Sequence, residues 1–210
     1  MPLDLSGRRV LITGAARGIG AATAKRLHAR GARLVLAGIE PDMLARTAAD
    51  CGDALAISSL AAALHPPLLG AYCASKAGVE ALADALRIEL APSGARVGVA
   101  YFAFLDTDMV RRGFATKAAK LLSEVRGPGQ SVAPLDAGID AIERGIARRA
   151  RRVVAPRWVG AVLPVRMLAQ RAIDAATRSS IEPVLEVARA EDPPLSTPQP
   201  LVPRDRLGHS

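Results

Sequence analysis

Tyr72 and Lys76 stand four residues apart in LLGAYCASKAG, in a chain with two tyrosines and four lysines among 210 residues. Four residues along a helix bring two side chains to one face. An ammonium beside a phenol favours the phenolate and lowers its pKa from about 10. A tyrosine so placed is a usable proton donor or acceptor near neutral pH. A second group of residues has anion-binding chemistry. TGAARGIG sets Gly14, Gly18 and Gly20 between an apolar run and a helical pattern. Gly14 permits a tight turn, Gly18 lets a pyrophosphate approach the backbone, and Gly20 lets the helix pack close to a sheet. Free N–H groups at the helix start then face the anion.

These residues need a scaffold, and the chain spells one out. RVLIT (9–13) is a short run rich in branched side chains, as expected of a buried strand. The helical stretch after the glycines carries Ile19, Ala22, Thr23 and Leu27 on one face and stops at Gly31. RLVLAG (33–38) is a second strand, and EPDMLARTAADCG a second helix with Pro41 near its start. This β-α-β-α order is that of a parallel α/β sheet. DALAISSLAA (53–62) is a further strand. A long helix is expected from Tyr72 to Ala91, ended by Pro92 and Gly94, then a strand over 95–104. Loop and helix follow over 106–125, a helix over 136–150, and a last strand in RRVVAP. Residues 158–190 read as helical with a break at Pro164. One domain over 1–190 is expected, with a disordered, proline-rich tail over 191–210.

TGAARGIG followed by YCASK resembles the short-chain dehydrogenase/reductase family, with its T-G-x-x-x-G-x-G and Y-x-x-x-K motifs. Ser59 lies thirteen residues before Tyr72, where that family carries its catalytic serine, and Thr107 in FLDTDM matches its threonine near the nicotinamide carboxamide. The resemblance covers about residues 5–155 and implies a Rossmann-like, doubly wound parallel sheet. It implies hydride transfer between a nicotinamide cofactor and a carbonyl or secondary alcohol. Tyr72 would be the acid/base, Ser59 the carbonyl orienter, and Lys76 the ribose anchor. Gly14, Arg17, Gly18, Ile19 and Gly20 would hold the pyrophosphate side of the cofactor. Members that bind NAD end the second strand in an acid; here Gly38 stands there, with Glu40 two later. Arg17 could meet a 2′-phosphate. NADP is therefore favoured over NAD, with Glu40 on the ribose diol as the rival.

The chain departs from the family in three places. Only 58 residues separate Gly14 from Tyr72, and the chain contains no asparagine. The family's N-A-G strand and its catalytic asparagine are missing. About 80 residues are absent, two to three units at roughly 30 residues each. The fold should thus be a sheet shortened by missing central βα units. The first strand then pairs with the segment leading to Ser59, or leaves unsatisfied backbone in the core. Impaired turnover is the expected result. The family's Pro-Gly after its sixth strand is Phe102-Ala103 here, and the acid after the second strand is lost.

A net charge of +8 raises a rival class, a basic surface for nucleic acid or anionic lipid. The arginines cluster in ERGIARRARRVVAPRW, but no nucleic-acid motif or stacking aromatic accompanies them. Another rival is a non-catalytic nucleotide-binding remnant or interaction protein. Aromatics make up 3% of the chain, so the core must be aliphatic. Cys51 and Cys73 suggest no disulfide framework, and no metal site is expected. No basic-then-apolar leader and no long apolar run point to a cytoplasmic protein. The expected partners are a small, lipophilic carbonyl or alcohol and a second copy of the chain. PRWVGAVLPVRMLAQRAI mixes apolar residues with arginines at helical spacing, which suits a core cap, a subunit contact or a membrane surface.

Overall fold

The computed structural model describes residues 5–13, 18–37, 53–126 and 131–191. Five short runs rich in small and branched residues form its sheet. They are β1 (Arg9–Thr13), β2 (Arg33–Ala37), β3 (Asp53–Ile57), β4 (Arg96–Phe102) and β5 (Arg152–Ala155). All neighbours are parallel, in the order β2-β1-β3-β4-β5. Parallel strands are covered on both faces, so they read as unbroken apolar runs. In β4 every residue after Arg96 is buried.

Both faces carry helices, as a doubly wound sheet requires. On one side α1 (Gly18–Ala29) and α5 (Leu135–Ala147) bury Leu27, Ile139, Ile142 and Ile146 against Val10, Ile12, Ala100, Phe102 and Val153. On the other, α2 (Gly70–Glu89) and α6 (Val159–Val162) bury Ala83, Leu86 and Val159 against Val97, Val99 and Tyr101. Alternate residues of β4 thus serve opposite cores. Each fully buried aliphatic side chain contributes about 1.5–3 kcal/mol. Glycine sets the spacing on the α5 side. A Cβ added to Gly145 would run into the Val153 side chain, and one added to Gly98 into the carbonyl oxygen of Ala150.

The segment before Ser59 takes the place of the absent central strand and pairs with β1. That pairing is short. Among the described residues Val10↔Asp53 and Leu11↔Ala54 match, whereas β3 and β4 pair along five positions, Asp53↔Arg96 to Ile57↔Ala100. The α1–α5 contact adds a second tie. Arg26 donates to Asp140 at 2.7 Å and Asp136 at 2.9 Å, and Arg30 lies 3.3 Å from the buried Glu143.

Several boundaries differ from the sequence reading. The strand expected over 53–62 ends at Ile57, because Ser58 and Ser59 leave the ladder and a 3-10 turn follows at Leu60–Ala62. Ser59 caps that turn by accepting from Ala61 N at 3.2 Å. The 106–125 region holds two helices, α3 (Asp108–Ala115) and α4 (Lys117–Arg126). Pro164 breaks the C-terminal helical region as expected, in a 3-10 turn at Leu163–Val165. Beyond it run α7 (Arg166–Arg178) and α8 (Ile181–Ala190). Glu191, read as tail, accepts from Lys117 N at 2.6 Å and Ala118 N at 3.0 Å and so caps α4. The expected helix over 40–52 and the tail from 192 on lie outside the described residues. Among the described residues, no helix is long and apolar enough to cross a membrane.

Candidate active site

All five strands point the same way, so the carboxyl ends of β1, β3 and β4 share one edge of the sheet. There the order reverses across β1, with β2 on one side and the other strands beyond it. Such switch points open a crevice in doubly wound sheets.

Three expected residues meet at the end of β3. Ser59 lies just past it, and its Oγ donates to the carbonyl oxygen of Phe102 at 3.3 Å, which ties it to the end of β4. Tyr72 sits in the first turn of α2, half-buried, with Ser59 near enough to its hydroxyl to draw the phenol's pKa down. Lys76 follows one turn later, its Nζ donating to the Ile57 carbonyl at 3.3 Å and lying 5.7 Å from the centre of the Tyr72 ring. The i, i+4 spacing read from the sequence therefore places both side chains on one face of a real helix.

The electrostatics run opposite to expectation. Burial pushes the Tyr72 phenol above its ordinary value of 10.0, and Ser59 only partly pulls it back. Burial also holds the Lys76 ammonium below its ordinary value. The Lys76 ammonium lies 5.7 Å from the Tyr72 ring centre, with its Nζ donating to the Ile57 carbonyl, and burial outweighs its pull on the phenol.

Thr107, the expected partner of a nicotinamide, follows β4 and caps α3, accepting from Val110 N at 3.4 Å. Beside it is an open cleft of about 590 Å³ lined by Asp106, Val110, Arg111, Phe114, Val132 and Pro134. Phe114 is fixed by an edge-on contact with Phe104 at 4.8 Å. Ser59, Tyr72 and Lys76 do not line this cleft. Of the residues expected to hold a cofactor, Gly18 opens α1, Ile19 packs against the core, and Gly20 is buried. Gly14 and Arg17 lie outside the described residues.

Sequence reasoning missed Ser58. It is buried, and its Oγ donates to the Lys76 carbonyl at 3.0 Å, fastening α2 to the end of β3. The Ser-Ser pair was the available signal, since a serine beside a strand end is a natural anchor for backbone. It also missed Glu80, one turn beyond Lys76, which lies near Tyr101, raises that phenol's pKa, and accepts from Arg166 at 3.0 Å.

The family model for short chain dehydrogenase matches residues 8–56 and 49–118, together more than half of the chain. An 11-beta-hydroxysteroid dehydrogenase-like 6 from Arabidopsis thaliana is 33% identical over 134 residues, which is 60% of this chain and 38% of that protein. Human L-xylulose reductase is 63% identical over 35 residues, 17% of this chain and 14% of that one. The matched regions thus span well under half of these curated relatives. Among solved structures, a short chain dehydrogenase from Burkholderia cenocepacia J2315 in complex with NADP superposes with a TM-score of 0.60 at 18% identity, over 82% of this chain and 98% of that one. A putative gluconate dehydrogenase from Agrobacterium tumefaciens gives 0.56 at 15% identity, over 75% and 97%. At these identities the structural likeness is one of fold. The match over most of the first 118 residues fixes the lineage, and the chain belongs to the short-chain dehydrogenase family.

Proposed function

We propose that this chain is an NADP-dependent oxidoreductase acting on a carbonyl or secondary alcohol. The observation that carries the reading is the convergence of Ser59, Tyr72 and Lys76 at the carboxyl end of β3, despite the short stretch before them. The residues present fit a dinucleotide. The first turn of α1 follows β1 at the same edge of the sheet, and Lys76 uses one of its three ammonium hydrogens on Ile57, leaving others for a ribose.

Reduction puts a hydride on the carbonyl carbon and a proton on its oxygen, and NADPH, when bound, supplies the hydride. Tyr72 gives the proton, which its raised pKa keeps in place at neutral pH. Ser59 turns its single O–H from the Phe102 carbonyl to the substrate oxygen and then steadies the phenolate. Lys76 holds the cofactor side against the strand end. The cleft beside Thr107, lined by Val110, Phe114, Val132 and Pro134 together with Asp106 and Arg111, would take the far end of a substrate whose carbonyl reaches out of it to Ser59 and Tyr72. Arg17, with Gly38 in place of an acid, supports NADP over NAD.

Turnover should be weak. Among the described residues the β1–β3 pairing supports the cofactor edge through two matched positions, Val10↔Asp53 and Leu11↔Ala54, and a displacement of about 1 Å can cost 10²-fold. The same pairing favours a second reading, in which the chain binds nucleotide without chemistry. Calorimetry with NADPH and NADH, and an assay of ketones and alcohols with and without Tyr72→Phe, test both. Tighter NADPH binding with Tyr72-dependent turnover supports the first reading; binding without turnover supports the second; no binding sinks both. A family-like segment inserted between Ile57 and Ser58 should raise turnover by about 10²-fold.

A further inference from the structure

Exposed apolar residues recur from just before α6, through the 3-10 turn at Leu163–Val165, into α7: Trp158, Ala161, Val165, Leu168 and Ala172, at alternating spacings of three and four. Trp158 is 42% exposed, Val165 48% and Leu168 67%, and the neighbouring Met167 is 77% exposed. Single exposed apolar side chains are ordinary, but a row of them marks an interaction surface. Arg157, Arg171 and Arg178 lie beside the row, all exposed and in no ion pair among the described residues. The one acid between Pro156 and Ser179 is Asp174, which accepts from Gln170 Nε2 at 2.7 Å.

We propose that this surface docks on an anionic lipid bilayer, lying along the headgroups. An apolar stripe flanked by arginines, with a tryptophan at one end, is the pattern of a helix that rests in an interface. The charge selects the occupant. Anionic leaflets attract exposed basic residues, and the whole chain carries +8. A second copy of the chain is the poorer fit, because a two-fold contact here would bring the unpaired arginines of one copy close to those of the other. The segment is also well fastened from behind. Arg166 donates to Glu80 on α2 at 3.0 Å. Gln170 accepts from His65 N at 2.7 Å and donates to His65 O at 3.3 Å. His65 begins the loop that carries the exposed Leu68 and Leu69 into the helix of Tyr72. Docking would therefore hold that helix's approach next to the lipid.

The proposal does not depend on the redox reading, and its test reads binding alone. Trp158 is the only tryptophan, so its fluorescence reports this surface without labelling. The full chain is mixed with vesicles of phosphatidylcholine, with or without phosphatidylserine. The expected result is co-sedimentation and a blue shift with the anionic vesicles, weakening as salt is added, and roughly tenfold poorer binding to the neutral ones. Leu168→Asp with Met167→Asp should remove binding, and Arg171→Glu with Arg178→Glu should weaken it by about tenfold or more, each with unchanged circular dichroism. The arginine pair keeps the test decisive if the aspartates disturb folding. Equal binding to both vesicles, an unmoved Trp158 emission, or a dimer that Leu168→Asp dissolves without any vesicle binding would overturn the proposal.

Discussion

Ser59 has one proton and two claims on it, the Phe102 carbonyl and the Tyr72 oxygen, while its lone pairs cap the next turn. Ser59→Ala should therefore cost stability as well as activity, about 1–2 kcal/mol by urea denaturation. The tyrosines offer a cleaner test, because there are only two. Burial raises Tyr72, and burial with Glu80 pushes Tyr101 up to about 12. Absorbance titration of the native protein should show both phenolates forming above pH 10, with Tyr72→Phe and Tyr101→Phe assigning them; a phenol titrating below 10 would restore the Lys76-driven picture. The sign for stability follows. Folding raises these values, so the stability involved is full below about pH 10 and is lost as pH rises through the folded values. The four-residue spacing announced that Tyr72 and Lys76 share one helix face, and the family resemblance singled out Ser59 beside them. The direction of the Tyr72 shift was not, since it depends on how deeply α2 seats the ring and where Lys76 Nζ points.

At the scale of elements, two contacts carry predictions. Gly98→Ala drives a methyl into the backbone at Ala150, where nothing flexible can yield, and should destabilise by about 1–3 kcal/mol, measured as a fall in the urea midpoint. Glu191 joins the end of α8 to the start of α4. The amides of Ala118 and Lys117 hold its carboxyl below the ordinary 4.5. Its depressed pKa makes the tie present above about pH 4.5 and lost as pH falls through the folded value. Glu191→Gln should therefore lower the hydrogen-exchange protection factors of the Lys117 and Ala118 amides at neutral pH, and acid should lower them in the unaltered chain once the pH dependence of the intrinsic exchange rate is divided out. Strands and long helices were legible because their apolar periods are strong. Caps were not: Glu191 lies 74 residues from Lys117, and nothing local announces so distant a partner. The end of β3 was misplaced because SSLAA continues an apolar run, whereas Ser59 closes it with its own side chain.

For the whole molecule, the two-position β1–β3 ladder has a consequence for how the chain comes apart. Among the described residues, the unit β1-α1-β2 is joined to the rest of the sheet by Val10↔Asp53 and Leu11↔Ala54, by the packing of Leu27 and its neighbours, and by the ion pairs of Arg26 and Arg30 with Asp140 and Glu143 of α5. Proteins open in cooperative pieces, and the most weakly joined piece opens first. Amides of β1 and β2 should exchange through an opening of lower free energy than those of β3 and β4, and Arg26→Ala should widen the difference while leaving β3 and β4 protected. Uniform protection across all five strands would contradict this. A molecule divided in this way behaves as two fragments clipped together. A chain severed after Ala37 should reassemble from its two pieces in solution, with the binding of the first piece saturable and weakened by Arg26→Ala.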